Sequence, residues 1–415
     1  MNSSATAYLG PDHGRWRPDT WQDLLDAAAG GLLDESHWVD LKRELPTGKP
    51  KHNTDLAKDL ASLAVDGGLL VIGIEDDESR AGEVCGVELA KLADRVDQVA
   101  RDKVRPRLDV RSTEIADPDR PGWGCLLVHV PASSRAPHMV DYVYYGRGDR
   151  ANTKLGDDDV RRIHREREAG HRHVEQALED LVAHCPVPAS QHESGHLYVL
   201  VQPATAADDV LVPLLTDPNF THLVVGMNQE IAREFGLTRI DPALYEANRR
   251  RQHAEGVALT SGLGLAQLIE RYVLELVVRE SGTVSLICGR GTDIEHGYRF
   301  FPRPEPQKVV HPGVILSLTH AVLALSGRIA DQYAGYQGEW NIGVRLTGLA
   351  DAVAWDHTQG MHLELKDAVY GRERYQRVTT AVTDDLIAQP QQVVERLLGP
   401  LLRGLGVGHR HLPYR

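Results

Sequence analysis

The chain has 415 residues, of which 42% are hydrophobic and 25% are charged, and its formal net charge is −13. This length suits two domains of ordinary size or three small ones, and the apolar content is sufficient for well-packed cores. The negative charge argues against a protein that coats nucleic acid non-specifically, although an acidic protein can still carry a local basic groove.

The sequence contains no run of about eighteen apolar residues, so we expect no membrane span and no membrane partner. Its start, MNSSATAYLGPDHGRWRPD, lacks a basic stretch followed by an apolar one and predicts no secretory signal. The cysteines are far apart and form no CxxC pair, which argues against a zinc ribbon or a disulfide framework and fits a reducing cytoplasm. The histidine-rich stretches HREREAGHRH and GHRHLPYR also lack the Cys/His spacing of a structural zinc site.

Hydrophobic spacing predicts four elements near the N-terminus. TWQDLLDAAAGG reads as a helix with a Gly-Gly stop, and NTDLAKDLASLAVDGG reads as a second helix that starts at Asn53 or Thr54. In HWVDLKREL apolar and charged residues alternate, which puts Asp40 and Lys42 on the same face of a strand. LLVIGIEDD is a continuous apolar run, which is typical of a strand covered on both faces.

The chain between these elements and residue 184 predicts a mixture of strands and helices. A helix over roughly 87–103 precedes an arginine-rich strand, the buried strand GCLLVHVPAS and the strand YVYYGRGDRANTK, which ends in a glycine-rich turn. GDDDVRRIHREREAGHRHVEQALEDLVAH predicts one long helix, because its acidic N-terminus suits the helix dipole.

The stretch CPVPASQHESG at 185–195 is the best candidate for a linker. It separates an N-terminal helical extension (1–30) and a first domain (31–184) from a C-terminal α/β domain (196–415), whose role the sequence does not indicate. The predicted fold class is α+β (mixed α/β). In the C-terminal domain, hydrophobic spacing predicts, among other elements, the strand HLYVLVQP and a helix over LAQLIERYVLEL.

Acidic residues near the first two strands form a candidate catalytic pattern. Divalent-metal catalysis of phosphodiester cleavage needs hard oxygen ligands held close together, and often a lysine that stabilises developing charge. Glu35, Asp40, Asp76 and Lys42 supply these groups. Solvated charges at strand ends would give the same pattern, so the spacing permits a metal site without establishing one.

Basic and aromatic residues are candidates for contact with nucleic acid. Arginine forks match phosphate oxygens, and tyrosine rings can stack on bases. For Arg147 the alternative is a salt bridge to Asp149 or Asp157, and for the tyrosines it is half-buried packing. The candidate phosphate contacts are Arg147, Arg150, Lys154, Arg105 and Arg107, and the candidate stacking residues are Tyr142, Tyr144 and Tyr145.

The glycine pairs of the sequence do not indicate a nucleotide site, and we expect no ATP. There is no GxxxxGK loop followed by Ser or Thr. Gly67 and Gly68 end a helix and precede a strand, which is the reverse of the order that aims backbone amides at phosphate.

Five pieces of sequence between Glu35 and about Glu168 carry a resemblance to a known family. They are ESHWVDLK, ASLAVDGG, LLVIGIEDD, LLVHVPASSRAPH and YVYYGRGDRANTKLGDDDVRRI. In this order they resemble the Schlafen-type AlbA-like domain, which is found in many bacterial proteins. The resemblance implies a nucleic-acid-binding fold and, in some members, a metal-dependent endoribonuclease that acts on structured RNA such as tRNA.

The resemblance also implies roles for single residues. The family's catalytic carboxylates correspond to Glu35, Asp40 and Asp76, which would hold Mg²⁺ or Mn²⁺, and Lys42 would stabilise the charge of the phosphorane. The second acid is Asp rather than Glu in this chain, and AVDGG replaces the family's usual Ala-Asn-Thr-x-Gly-Gly. These departures leave open a domain that binds nucleic acid without cutting it.

Three functions follow as expectations. The first is a cytoplasmic endoribonuclease of a bacterium, acting in phage defence, which forms its RNA groove as a homodimer. The second is a non-catalytic regulator that binds RNA or DNA. The third is a defence or signalling component that a protein trigger activates through the C-terminal domain.

Overall fold

The structure is a computed structural model, and it describes residues 7, 9, 16–133, 135–148, 151–204, 209–237, 241–264, 268–298, 301–334, 336, 338–358 and 369–414. Contacts within the chain divide it into two units. The N-terminal unit comprises 1–169, 204–207 and 330–339, and the C-terminal unit comprises 170–203, 208–329 and 340–415. The first boundary, at 169/170, falls inside a helix and upstream of the linker that the sequence predicts.

Strands and helices both contribute to the N-terminal unit, as expected for an α+β fold. Its strands are β1 Val39–Lys42, β2 Gly68–Ile72, β3 Ile74–Asp77, β4 Arg80–Val84, β5 Val87–Glu88, β6 Arg111–Ala116, β7 Trp123–Val130, β8 His138–Val140, β9 Val143–Arg147 and β10 Asn152–Lys154. Its helices are α1 Trp21–Ala29, α2 Pro50–Leu63, α3 Leu92–Asp102 and the beginning of α4 Asp157–Ala183.

A five-stranded sheet lies at the centre of this unit. Its order is β1-β2-β7-β5, and β6 also pairs with β7. β1 and β2 are parallel, whereas β7 is antiparallel to each of its partners. A second sheet has the order β10-β9-β8, and β3 and β4 form a separate hairpin.

β2 is covered on both faces, as the apolar run predicts. Leu70 and Ile72 pack in one hydrophobic cluster with residues of α2 and α3, whereas Leu69 and Val71 pack in another with residues of α1. The strand ends at Gly73 instead of continuing through the acidic residues. Gly73 has φ +112°, and a Cβ at this position would lie 2.8 Å from the sulfur of Cys125. The chain therefore turns here, and the acidic residues belong to the β3–β4 hairpin.

The helices predicted in the N-terminal unit are present, and two of them, α2 and α3, begin at other residues than predicted. α1 begins with a capping box in which Thr20 and Asp23 bond reciprocally. α2 begins at Pro50, earlier than predicted, because proline is well suited to the first helical position. α3 begins at Leu92 rather than near residue 87, since Val87 and Glu88 pair with β7.

A seven-stranded sheet organises the C-terminal unit. The strands of this region are β11 Leu197–Pro203, β12 Arg249–His253, β13 Gly256–Ser261, β14 Leu274–Arg279, β15 Val284–Cys288, β16 Asp293–Tyr298, β17 Phe301–Val310, β18 Glu339–Leu346, β19 Val353–Ala354 and β20 Tyr375–Val382. The large sheet has the order β12-β13-β14-β15-β11-β18-β20, and β16-β17-β19 form a smaller one. The helices are α5 Val212–Thr216, α6 Phe220–Glu234, α7 Pro312–Ile329, α8 Thr383–Ala388, α9 Pro390–Gly404 and α10 Gly408–His411.

Two features of this unit qualify the sequence analysis. The helix predicted over LAQLIERYVLEL is wrong, because the described residues of this stretch form a short 3₁₀ helix, Glu270–Tyr272, and then enter β14, which hydrogen-bonds to a strand on each side. The helical segment Pro312–Ala334 is long and apolar enough to cross a membrane, but 89% of its apolar window is buried inside the fold. Such burial is typical of the core helix of a soluble protein.

Candidate nucleic-acid interface and acidic site

Four charged side chains meet between β1, α2 and β9. Asp40 of β1 is 3% exposed. Its Oδ1 lies 3.3 Å from Nη2 of Arg147, and its Oδ2 lies 3.0 Å from Nζ of Lys42, an ion pair without the angles of a hydrogen bond. Nζ of Lys42 also lies 3.8 Å from Oδ2 of Asp59 on α2. We call these four residues the charge cluster, and their formal charges cancel.

The alternation of β1 aims this cluster at α2. Val39 and Leu41 pack in the hydrophobic cluster that includes residues of α1. Asp40 and Lys42 therefore project from the opposite face, as the period of two predicts. The sequence thus correctly placed this acid and this amine side by side.

Arg147 ties the cluster to the backbone. Its side chain is 1% exposed. Nε donates to the carbonyl oxygen of Ser36 at 3.1 Å, and Nη2 donates to that of Val39 at 2.7 Å. The sequence analysis placed Arg147 on a phosphate-contacting surface, whereas the structure buries it against Asp40, which is far away in the sequence. Among the described residues its acid partner is therefore Asp40 and not Asp157, and Asp149 lies outside the described residues.

Asp59 is the member of the charge cluster that the sequence does not single out. The carboxylate accepts a hydrogen bond from Nδ2 of Asn152 at 2.6 Å. Burial and the nearby charge of Asp40 raise the pKa of Asp59 to about 6. Burial by itself would lower the pKa of Lys42, but the charges of Asp40 and Asp59 outweigh that effect and raise it. The sequence feature that could have indicated Asp59 is its position directly before Leu60, at the edge of the apolar face of α2.

The β3–β4 hairpin positions the other two predicted carboxylates. Glu78 and Ser79 form its two-residue turn, with φ values of 52° and 71° that fit a type I′ turn. Oδ1 of Asp76 accepts from the amide of Ser79 at 2.7 Å. The amide of Glu35 donates to the carbonyl oxygen of Ser79 at 2.9 Å, which holds the Glu35 backbone against the turn.

Glu35, Asp40 and Asp76 are close enough to interact electrostatically. Oε1 of Glu35 accepts from the amide of Leu41 at 3.3 Å. Partial burial raises the pKa of Glu35, and the charges of Asp40 and Asp76 add to the rise. These oxygen donors are chemically suited to Mg²⁺ or Mn²⁺.

The three carboxylates are suitable metal ligands, but their positions do not form a metal site. Within the described residues, they form no group of three ligand atoms that all lie within 4.8 Å of one another. Both oxygens of Asp40 face cationic side chains, and Asp76 caps a turn. The arrangement as it stands therefore does not fit a bound cation, and the metal-ligand roles of Glu35, Asp40 and Asp76 stay predictions.

A cavity of about 410 Å³, which we call the basic pocket, lies at the N-terminal end of α2. The N-cap residue Lys49 provides no side-chain cap, and the first turn of α2 has no acidic residue. Backbone amides and the helix dipole make such an end attractive to anions. The residues that line the pocket are Thr47, Gly48, Lys49, Pro50, Asn53, Arg95 and Lys103.

Two cations of the basic pocket are held in place. Arg95 donates to Oδ1 of Asn53 and to the carbonyl oxygens of Leu45 and Pro46, at distances from 2.7 to 3.0 Å. Nζ of Lys103 lies 3.3 Å from Oγ1 of Thr54. The wall of the pocket is therefore preorganised and positively charged.

The chain that leaves the basic pocket carries two of the predicted phosphate contacts. Arg105 and Arg107 are exposed, and the backbone of Arg105 pairs with Met139 of β8. The β8–β9 hairpin turns at Asp141 and Tyr142, and the Tyr142 side chain is 96% exposed. The structure thus links the arginine segment to a hairpin with an exposed aromatic tip.

The remaining predicted contacts differ in exposure. Lys154 is exposed on β10, and Arg150 lies outside the described residues. Tyr144 is half-buried and Tyr145 is 7% exposed, which agrees with the packing alternative for both. Tyr142 is the tyrosine of this segment whose ring is free to stack on a base.

Comparison with known proteins identifies the N-terminal unit. The family description "Schlafen, AlbA_2" matches residues 35–156. The chain contains a Schlafen AlbA_2 domain. The charge cluster, the basic pocket and Tyr142 all lie within this AlbA_2 domain, and the family connects it with nucleic-acid-related function.

One similar solved structure is the DIP2311 protein from Corynebacterium diphtheriae, at 16% identity and a TM-score of 0.22. The match covers 66% of this chain, and the chain spans 43% of that protein. No curated protein matches the chain significantly.

The Arg147→Met variant tests the structural role of the buried arginine. Removing the guanidinium leaves Asp40 with one cation and takes one hydrogen-bond donor from each of the carbonyl oxygens of Ser36 and Val39. We expect the free energy of unfolding to fall by about 3–5 kcal/mol, the usual cost of breaking a buried ion pair. Urea unfolding would measure it, with the exposed Lys154→Met as a control expected within about 0.5 kcal/mol of wild type. Equal midpoints for the two variants would contradict the assigned role.

The raised pKa of Asp59 predicts a pH-dependent stability. Its pKa in the folded protein lies above the unfolded value of 3.8. The stabilising contribution is therefore complete below the unfolded pKa and is lost as the pH rises through about 6. Asp59→Asn cannot ionise, so its stability relative to wild type should increase between about pH 4.5 and about pH 7.5.

Urea unfolding across this pH range measures the effect. Asp55→Asn, on a more exposed part of the same helix, is the matched control and should follow the wild-type trend. A constant difference between Asp59→Asn and wild type at all pH values would show that Asp59 does not titrate in this range.

Proposed function

We propose that the AlbA_2 domain binds single-stranded or looped RNA, with phosphate groups at the basic pocket and a base stacked on Tyr142. The observation that carries this proposal is the uncapped N-terminus of α2 inside a pocket that three cations line. The interaction does not require a basic protein, because the positive charge is local while the chain as a whole carries −13.

Electrostatics supports phosphate binding at this position. Lys49, Arg95 and Lys103 line the basic pocket, and none of the lining residues is acidic. Phosphate oxygens would accept hydrogen bonds from the helix amides and from the cations. The affinity should therefore fall with salt, as it does when phosphate contacts release counterions.

The exposure of Tyr142 supports base stacking. A tyrosine that is 96% exposed at a hairpin tip contributes little to the core. Its φ of 65° is unusual for a residue with a bulky side chain. Aromatic rings in such positions bind unpaired bases by stacking, which is largely independent of base identity. Arg105 and Arg107 can contact the neighbouring backbone phosphates.

The charge cluster favours binding over cutting. Asp40 is neutralised by Lys42 and Arg147, so its carboxylate is already committed to a structural role. A cation at this position would have to displace one of these contacts. Binding through the basic pocket requires no such rearrangement.

A metal-dependent endoribonuclease is the second candidate function. The observation that favours it is the proximity of Glu35, Asp40 and Asp76: partial burial raises the pKa of Glu35, and the charges of the two aspartates act in the same direction. Carboxylates that repel one another in this way are suited to a divalent cation that enters with RNA. A role in phage defence, dimerisation and activation by a protein trigger are compatible with both candidate functions, and each of them requires a partner molecule.

Variants of the basic pocket and of the hairpin tip should weaken RNA binding in different ways. Lys49→Gln and Lys103→Gln should lower the affinity and reduce the salt dependence by about one ion each. Tyr142→Ala should lose about 1–3 kcal/mol of binding free energy without changing the salt dependence. Fluorescence anisotropy of a labelled single-stranded RNA, at several salt concentrations, measures both effects.

Exposed Lys91, at the start of α3, offers a matched control for charge. Lys91→Gln removes the same charge outside the basic pocket and should bind as wild type. If Lys91→Gln and Lys49→Gln weaken binding equally, the interaction is non-specific and the proposed interface is wrong. A DNA of the same sequence, run in parallel, shows whether the 2′-hydroxyl contributes.

Incubation with total tRNA in Mn²⁺ or in EDTA separates the two candidate functions. The binding proposal predicts intact tRNA in both solutions and unchanged binding by Glu35→Gln and Asp76→Asn. Discrete fragments that require Mn²⁺ and disappear in both variants would establish the endoribonuclease instead. The exposed neighbour Asp77→Asn controls for a general loss of negative charge in the hairpin.

A further inference from the structure

A cluster of three metal-ligand types lies near the start of the C-terminal unit. Ligand atoms of Cys185, His192 and His196 all lie within 4.8 Å of one another. Cys185 is half-buried, His192 is exposed and His196 is fully buried. Within the described residues this is the one group of its kind, and it lies outside the AlbA_2 domain.

Glu270 fixes the orientation of His196. Nε2 of His196 donates to Oε1 of Glu270 at 2.6 Å. The other oxygen of Glu270 accepts from the amides of Glu193 and Ser194, both at 2.9 Å, and from Oγ of Ser194 at 3.0 Å. This places Nδ1 of His196 3.2 Å from Sγ of Cys185. A carboxylate that orients a histidine through its distal nitrogen is the usual outer shell of a metal site.

In His192 too, one ring nitrogen donates a hydrogen bond to an oxygen atom and the other does not. Its Nε2 lies 2.9 Å from the carbonyl oxygen of Val187, to which it donates. Nδ1 is therefore the nitrogen that carries the free electron pair. The rings of His192 and His196 lie 4.3 Å apart between centroids. Each histidine thus has one nitrogen held by an oxygen acceptor, and the other nitrogen of His196 faces Sγ of Cys185 and the hydroxyl of Tyr198, 3.4 Å away.

We propose that Cys185, His192 and His196 bind a Zn²⁺ ion, with a water molecule or a further ligand in the fourth position. One thiolate and two imidazoles are a donor set that zinc prefers. Tetrahedral zinc with ordinary bond lengths separates sulfur and nitrogen ligands by about 3.5 Å. The Sγ to Nδ1 distance of 3.2 Å needs only a small opening to reach this value. The exposed His192 provides a path for the ion to enter.

A plain hydrogen-bond network is the ordinary explanation of such a cluster. It accounts for Cys185, His196 and Glu270, which bond in a chain. It also accounts for Nε2 of His192, which donates to the carbonyl oxygen of Val187, but it gives Nδ1 of that ring no partner among the described residues. Zinc binding accounts for all four side chains, with three as ligands and Glu270 as the orienting group.

The site would fasten the segment before β11 to the large sheet. Cys185 and His192 belong to 185–195, the stretch that the sequence analysis interpreted as a linker, and His196 directly precedes β11. Glu270 lies on a short 3₁₀ helix before β14. The segment is thus part of the C-terminal unit, and zinc would contribute to the folding stability of that unit.

Metal analysis of the full chain, purified without a histidine tag, tests the proposal. The wild type should retain about one Zn²⁺ per chain, and Co²⁺ in its place should give the visible spectrum of a tetrahedral site with a sulfur-to-cobalt charge-transfer band. Cys185→Ser should abolish the charge-transfer band, and His192→Asn should lower the affinity for zinc. Glu270→Gln should lower that affinity about 10–100-fold, as loss of an orienting group does.

The controls make each outcome decisive. His184→Asn changes an exposed neighbouring histidine and Cys85→Ser changes a half-buried thiol of the N-terminal unit, so both should bind metal as wild type. His192→Asn, at an exposed position, remains informative if the Cys185 variant does not fold. Absence of stoichiometric metal together with no charge-transfer band in the wild type, or binding that persists in both ligand variants, would overturn the proposal.

Discussion

The burial of Asp40 is the constraint on which the N-terminal unit depends. A carboxylate that is 3% exposed costs several kcal/mol unless its charge is compensated. Arg147 and Lys42 provide that compensation, and Asp59 balances the second cation. Because the four charges come from β1, α2 and β9, their pairing fixes these elements relative to one another. The pairing determines how these elements are arranged more than it increases the stability of the domain, since buried ion pairs contribute little net energy to folding.

This constraint separates the domain into a structural part and a binding part. The side chains that the sequence suggests for catalysis are largely engaged, because Asp40 is paired and Asp76 caps a turn. The side chains that face solvent are of a different kind, namely the cations of the basic pocket and the ring of Tyr142. Nucleic acid offers phosphates and bases to match them, which is why binding is the function that this geometry supports best.

The sequence was sufficient where the chemistry is local. The period of two in β1 placed Asp40 and Lys42 on one face, and the apolar run of β2 predicted burial on both faces. It was insufficient where distant segments meet. The pairing of Arg147 with Asp40 joins positions more than a hundred residues apart, and no local pattern reports it. Helix α2 begins at Pro50, earlier than the hydrophobic spacing predicts. Residues from Leu274 form β14 rather than a helix because β14 hydrogen-bonds to a strand on each side.

The cluster of Cys185, His192 and His196 was not predicted from the sequence for a similar reason. Searching for CxxC pairs and for histidine-rich stretches misses Cys185, His192 and His196, although His192 and His196 have the H-x₃-H spacing that is common in zinc sites. Glu270, which orients His196, joins them only through the fold. A stretch rich in proline and serine was therefore interpreted as a linker, although two of its side chains, Cys185 and His192, converge with His196.

Hydrogen–deuterium exchange of the full chain, with and without a single-stranded RNA, tests the central claim most directly. Binding at the basic pocket and the hairpin tip predicts slower amide exchange in 47–54 and in 138–145 when RNA is present, with little change in 34–42 and 74–84. Protection centred on 34–42 and 74–84 would place the RNA at the acidic site instead. Protection confined to the C-terminal unit would contradict the assignment of RNA binding to the AlbA_2 domain.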